Sequence, residues 1–105
     1  MGGIEKMKSN WSVYNNRLVY SGADFLGYVE PFVPKGLMCG EEYNYNYVKY
    51  RTWIYEGDGS ETRRDSPIQE FLSLERAIDS IEMFFELSIE EQRAQFETLV
   101  KQKKN

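Results

Sequence analysis

The spacing of apolar positions changes once along this chain, near residue 73. Before that point lie β-formers and turn residues; after it apolar residues recur at the helical period of 3.6. Alternation is cleanest over residues 43–56 (YNYNYVKYRTWIYE). Tyr43, Tyr45, Tyr47, Lys49, Arg51, Trp53 and Tyr55 share one face, while Asn44, Asn46, Val48, Tyr50, Thr52, Ile54 and Glu56 share the other. Both faces are partly apolar, so the pattern does not choose which one is buried. A strand of that length predicts a bend or bulge.

Two further β segments precede it. Residues 11–20 (WSVYNNRLVY) are rich in β-formers, and Asn15-Asn16 can turn the chain because Asn tolerates positive φ; one longer strand is the alternative. Residues 21–24 (SGAD) read as a turn, residues 25–30 as the next strand, and residues 31–42, with Pro31 and Pro34, as an irregular loop. Residues 57–60 (GDGS) mark another loop, and residues 61–72 can return as a hairpin partner, interrupted near Pro67.

Helical phase places the first helix boundary. Leu74, Ala77, Ile78, Ile81, Phe84 and Phe85 form one apolar face at about 100° per residue. Ile68, Phe71 and Leu72 fall off that face, as do Met83 and Leu87. The helix is therefore predicted to start at Leu74 with Ser73 as N-cap, leaving 68–72 extended, although Ser66-Pro67-Ile68-Gln69 also has the form of a capping box. A second helix opens at the capping box Ser88-Ile89-Glu90-Glu91, with an apolar stripe of Ile89, Phe96, Leu99 and Val100 and an i,i+4 pair of Glu97 with Lys101. The predicted fold is one α+β domain over residues 1–105: an antiparallel sheet of three to four strands within 11–72, and two C-terminal helices within 74–103 packed on one of its faces.

Composition alters this picture in three places. The single cysteine, Cys39, excludes an intramolecular disulfide and points to a reducing, cytoplasmic setting. No apolar leader and no membrane-length apolar run is visible, so no membrane partner is expected. The net charge of −4 becomes −7 without Lys101, Lys103 and Lys104, and residues 67–100 carry eight acids against two arginines. That sign opposes a nucleic-acid partner.

The acids on the first helix are ordered. Glu75, Asp79, Glu82 and Glu86 lie within about 60° on its wheel, in axial steps of roughly 5–6 Å. Like charges in such a row repel one another, and regularly spaced carboxylates suit a basic groove on a protein partner. Small accessory or inhibitor proteins of phages and mobile elements work in this way. A solvated helix face is the plainer explanation of the same row. A second candidate surface is the strand face of Tyr43, Tyr45, Tyr47, Lys49, Arg51 and Trp53, where aromatics beside cations could stack a planar small molecule, form a dimer or, against the net charge, stack the bases of a single-stranded nucleic acid. Aromatics are also ordinary strand residues.

Catalysis and metals have less to work with. The chain has no histidine, so Cys39 has no histidine base to activate it. The loop Glu56-Gly57-Asp58-Gly59-Ser60-Glu61 resembles a calcium loop only at alternate oxygens, with Glu61 and Pro67 where Gly and Glu are required. Cofactor motifs are absent from the sequence. The expectation is a non-enzymatic binding protein that engages a protein partner through the acidic stripe. A small-ligand-binding, dimeric domain using the aromatic strand ranks second, and an enzyme using carboxylates or tyrosine third.

Overall fold

The computed structural model describes residues 10–33, 48–57 and 60–104. They form a five-stranded antiparallel meander followed by two helices: β1 (Trp11–Tyr14), β2 (Arg17–Ser21), β3 (Phe25–Phe32), β4 (Lys49–Glu56), β5 (Gln69–Phe71), α1 (Leu74–Glu86) and α2 (Ile89–Lys104). The class is α+β, as the sequence indicates, and the sheet has one strand more than the upper expectation. The extra strand comes from residues 11–20 folding as a hairpin rather than one strand. Asn15 and Asn16 both adopt positive φ, 50° and 61°, the conformation that a two-residue turn matched to strand twist demands.

Pro31 does not end β3. The β2–β3 ladder stops at Leu18↔Val29, and β3 continues against β4 alone through Pro31↔Tyr50 to Phe32↔Lys49. A missing N–H is tolerated there because Pro31 lies past the end of one neighbour. Residues 43–47, expected to open β4, lie outside the described residues, and Val48 precedes the strand.

Residues 65–71 return along the far edge of β4 with a fault in register. Thr52 pairs with Gln69 and Tyr55 with Asp65, so three steps on β4 face four on the returning chain. That one-residue excess is a β-bulge, centred on residues 66–68 and holding Pro67. Ser66 repairs the local ladder: its Oγ accepts the Ile54 N–H at 2.8 Å, and its own N–H donates to the Ile54 carbonyl at 2.8 Å.

Both predicted caps form. The Ser73 Oγ accepts the Arg76 N–H at 3.4 Å, and Ser88 and Glu91 exchange reciprocal bonds at 3.2 and 3.1 Å. These bonds to Ser88 hold the Glu91 carboxyl below its ordinary range. Leu74 and Ile89, placed on apolar faces by periodicity, are exposed. Each is the first residue of its helix, and burial begins one turn later, at Ala77 and Gln92. Buried Gln92 joins the helices by donating to the Leu87 carbonyl at 2.9 Å, one of the acceptors a helix end leaves open.

Both helices cover the sheet face of Tyr20, Phe25, Val29 and Ile54. Phe25 is fully buried between Phe84 and Phe96, at ring distances of 5.5 and 5.0 Å. Burying each such ring contributes about 1.5–3 kcal/mol. Gly27 sets how closely α1 approaches: a Cβ there would lie 2.6 Å from Ile81 Cγ2. Tyr50, Thr52 and Ile54 of β4 thus face the helices, while Lys49, Arg51, Trp53 and Tyr55 face away.

Candidate binding surfaces

The acidic stripe runs along the flank of α1 next to β1. Three of its members, Glu75, Asp79 and Glu86, are exposed. The fourth, Glu82, borders the core and accepts the Trp11 indole N–H at 2.8 Å, tying α1 to the edge strand. Glu82 therefore has a structural partner that its place on the wheel does not reveal. The other acids of the helical half are distributed differently. Glu97, expected to pair with Lys101, is attracted by it but makes its hydrogen bonds to Arg64: the guanidinium donates to both Glu97 oxygens, at 3.1 and 2.6 Å, and to both Glu56 oxygens, at 3.0 and 2.9 Å. Hydrogen bonding to Arg64 holds the Glu56 and Glu97 carboxyls below their ordinary values. Arg93 extends this clamp, 3.1 Å from Asp24 and 3.6 Å from Glu56. The sequence offered one signal for it, since Glu56 and Arg64 flank the 57–60 loop.

The second candidate surface is the sheet face opposite the helices. Tyr28, Trp53 and Tyr55 form an aromatic cluster there, with Tyr28–Tyr55 and Trp53–Tyr55 edge-on at 4.8 and 5.7 Å. Burial raises the Tyr55 hydroxyl pKa. The cations of this face are engaged: Arg17 and Arg51 approach Glu30 at 2.9 and 3.6 Å, and Lys49 approaches Glu70 at 3.8 Å. Arg51 also lies over the Phe32 ring, 3.9 Å from its centroid. Paired in this way they offer less to a phosphate than the strand sequence implies. Among the described residues, buried Trp53 Nε1 and Arg51 Nε find no hydrogen-bond partner, the approach of Arg51 Nε to Glu30 at 3.6 Å being ionic only. Tyr43, Tyr45 and Tyr47 lie outside the described residues.

A third feature was not expected from the sequence. Between β4, the bulge, α1 and α2 lies a cavity of about 340 Å³, walled by Thr52, Ile54, Ser66, Ile81, Phe84 and Leu99 among others. Its wall residues carry no charge. Among the described residues, no group of three or more Cys, Asp or Glu side chains could hold a metal ion, and no helix is long and apolar enough to cross a membrane. No protein-family model, curated protein or solved structure matches this chain, so any functional reading rests on its own surfaces.

Proposed function

We propose that this chain is a non-enzymatic binding protein, of the accessory or inhibitor kind found in phages and mobile elements, that engages a basic surface of a protein partner through the acidic flank of α1. One observation carries the reading. Glu75 and Asp79 are exposed one turn apart on α1 and enter no ion pair with a described residue. Exposed carboxylates one turn apart favour a partner that brings basic side chains to them, and they steer association in a salt-dependent way. Glu86 extends the row by two turns, and Glu82 anchors the helix beneath it.

The test is retention from bacterial lysate at low salt by immobilised wild-type protein and by the triple variant Glu75→Gln, Asp79→Asn, Glu86→Gln, with Glu82 left intact so that the Trp11 bond survives. A partner held by the wild type, lost by the variant and released by raised salt supports the acidic flank. Equal capture by both proteins, or none by either, sinks it.

A second reading has one observation in its favour. The aromatic cluster of Tyr28, Trp53 and Tyr55 stands on the sheet face turned away from the helices, so the cluster remains a candidate contact for a planar ligand or a second copy of the chain.

A further inference from the structure

The cavity beside the bulge combines three properties that a simple packing defect need not share. Its volume, about 340 Å³, lies within the range of small-molecule sites. Its wall carries no charged side chain, in a chain where 29% of residues are charged. Two of the three buried polar residues among those described, Thr52 and Ser66, belong to that wall. The Ser66 hydroxyl donates to the Pro67 carbonyl at 3.3 Å and accepts from the Ile54 N–H, which leaves it one lone pair. The apolar part comes from Ile54, Ile81, Phe84 and Leu99.

The bulge borders the space: Ser66 and Pro67 are part of its wall, and only three rungs, Tyr50↔Phe71 to Thr52↔Gln69, join β5 to the sheet. Bulges recur next to binding and active sites because they re-aim side chains and open the ladder. Here the bulge turns Ser66 toward β4 and leaves room beneath α1 and α2. Water in such a space would meet mostly apolar wall, which favours an apolar occupant.

We infer that this cavity is a binding site for a compact, uncharged, largely apolar small molecule of roughly ten to fifteen heavy atoms, by close-packed filling of the volume, carrying one hydroxyl or N–H donor for Ser66 or Thr52. The site is separate from the acidic flank of α1 and does not depend on it. The wall offers no countercharge, so an ionised group would have to stay at the open mouth, beside exposed Gln69, Met83 and Gln95, rather than enter the apolar part.

The probe is 2-naphthol, titrated into 15N-labelled full-length protein to about 1 mM, the weak end of measurable affinity. The expected result is saturable shifts of the amides of Thr52, Ser66, Ile81 and Leu99. Two variants locate the site. Ser80→Phe inserts a ring from the α1 side of the wall and should weaken binding at least tenfold without lowering Tm. Thr52→Val keeps the shape and removes a hydroxyl; together with Ser66→Ala it tests which group meets the naphthol, and the one that does should weaken binding about fivefold, the loss of one hydrogen bond of about 1 kcal/mol. If Ser80→Phe fails to fold, the two hydroxyl variants still decide. No shifts, shifts centred on Tyr28, Trp53 and Tyr55, or affinity unchanged in every folded variant would each overturn the assignment.

Discussion

The helix layer closes over the sheet in two different ways. Toward the Phe25 end, β3 and β4 run in continuous register from Phe25↔Glu56 to Phe32↔Lys49. Phe25, Phe84 and Phe96 interlock above them, and Arg64 and Arg93 bridge α2 to Glu56 and Asp24 along the rim. Toward β5, pairing falls to three rungs and a bulge, and the same two helices leave a cavity. A regular ladder presents evenly spaced side chains that a helix can fill. A slipped ladder does not, and the misfit appears as space. The cavity thus lies where the strand register is irregular, with α1 and α2 forming the rest of its wall.

The contrast is broken most directly by removing one large side chain from each side. Phe96 is fully buried, so Phe96→Ala should cost about 3–5 kcal/mol. Leu99, three residues later on the same helix, borders the cavity and is less completely buried than Phe96; Leu99→Ala should cost about 2 kcal/mol, the bottom of the range for buried leucines. Urea denaturation midpoints compare them. Equal costs would mean that the β5 side packs as tightly as the other.

Adding atoms sharpens the comparison with a smaller effect. Gly27→Ala places a methyl 2.6 Å from Ile81 Cγ2 and 3.1 Å from Phe85 Cε2. Overpacking of this kind costs about 1–3 kcal/mol, although alanine is ordinarily no worse than glycine in a strand. A thermal melt of Gly27→Ala beside Ser80→Phe would set one methyl group on the tight side against a whole ring on the open side. The methyl should lower Tm and the ring should not.

The tight side was more legible in the sequence than the open side, and the reason is range. Asn15-Asn16, Ser73 and the Ser88–Glu91 box act within four residues, so each declares its turn or cap in the sequence. Helical phase excludes residues 68–72 from α1, and β5 (Gln69–Phe71) lies within them. Trp11 with Glu82, Arg64 with Glu97 and Arg93 with Asp24 meet across 71, 33 and 69 residues, and no local pattern encodes those meetings. The choice of buried face on β4 was illegible for another reason: Tyr50, Thr52 and Ile54 are hardly more apolar than Trp53 and Tyr55, and the helices select the first set through Phe84 and Ile81. The bulge at Pro67 showed in the sequence only as an interruption. Exposure of Glu75, Asp79 and Glu86 followed from the wheel, whereas the anchoring of Glu82 depended on where β1 lay.

The rim clamp gives the smallest effect and separates the two sides by pH. In the folded chain Arg64 holds the Glu56 and Glu97 carboxyls below their ordinary values, while the cavity wall contains no titratable group. A carboxylate whose folded pKa is depressed contributes stability that is fully present above its unfolded value, about 4.3 for glutamate, and that is lost as pH falls through the folded value. Arg64→Gln removes the largest cause of both depressions and leaves the weaker attraction of Arg93, 3.6 Å from Glu56. The variant should therefore melt below wild type at pH 7, and the two curves should converge as pH falls below about 4, where wild type loses the same interactions. Exposed pairs contribute modestly and are screened, so the gap at pH 7 should be smaller than either packing effect and should shrink in added salt. Parallel curves down to acid pH would show that Arg64 stabilises the rim by packing near the Phe96 ring, 5.4 Å from its centroid, rather than by its charge.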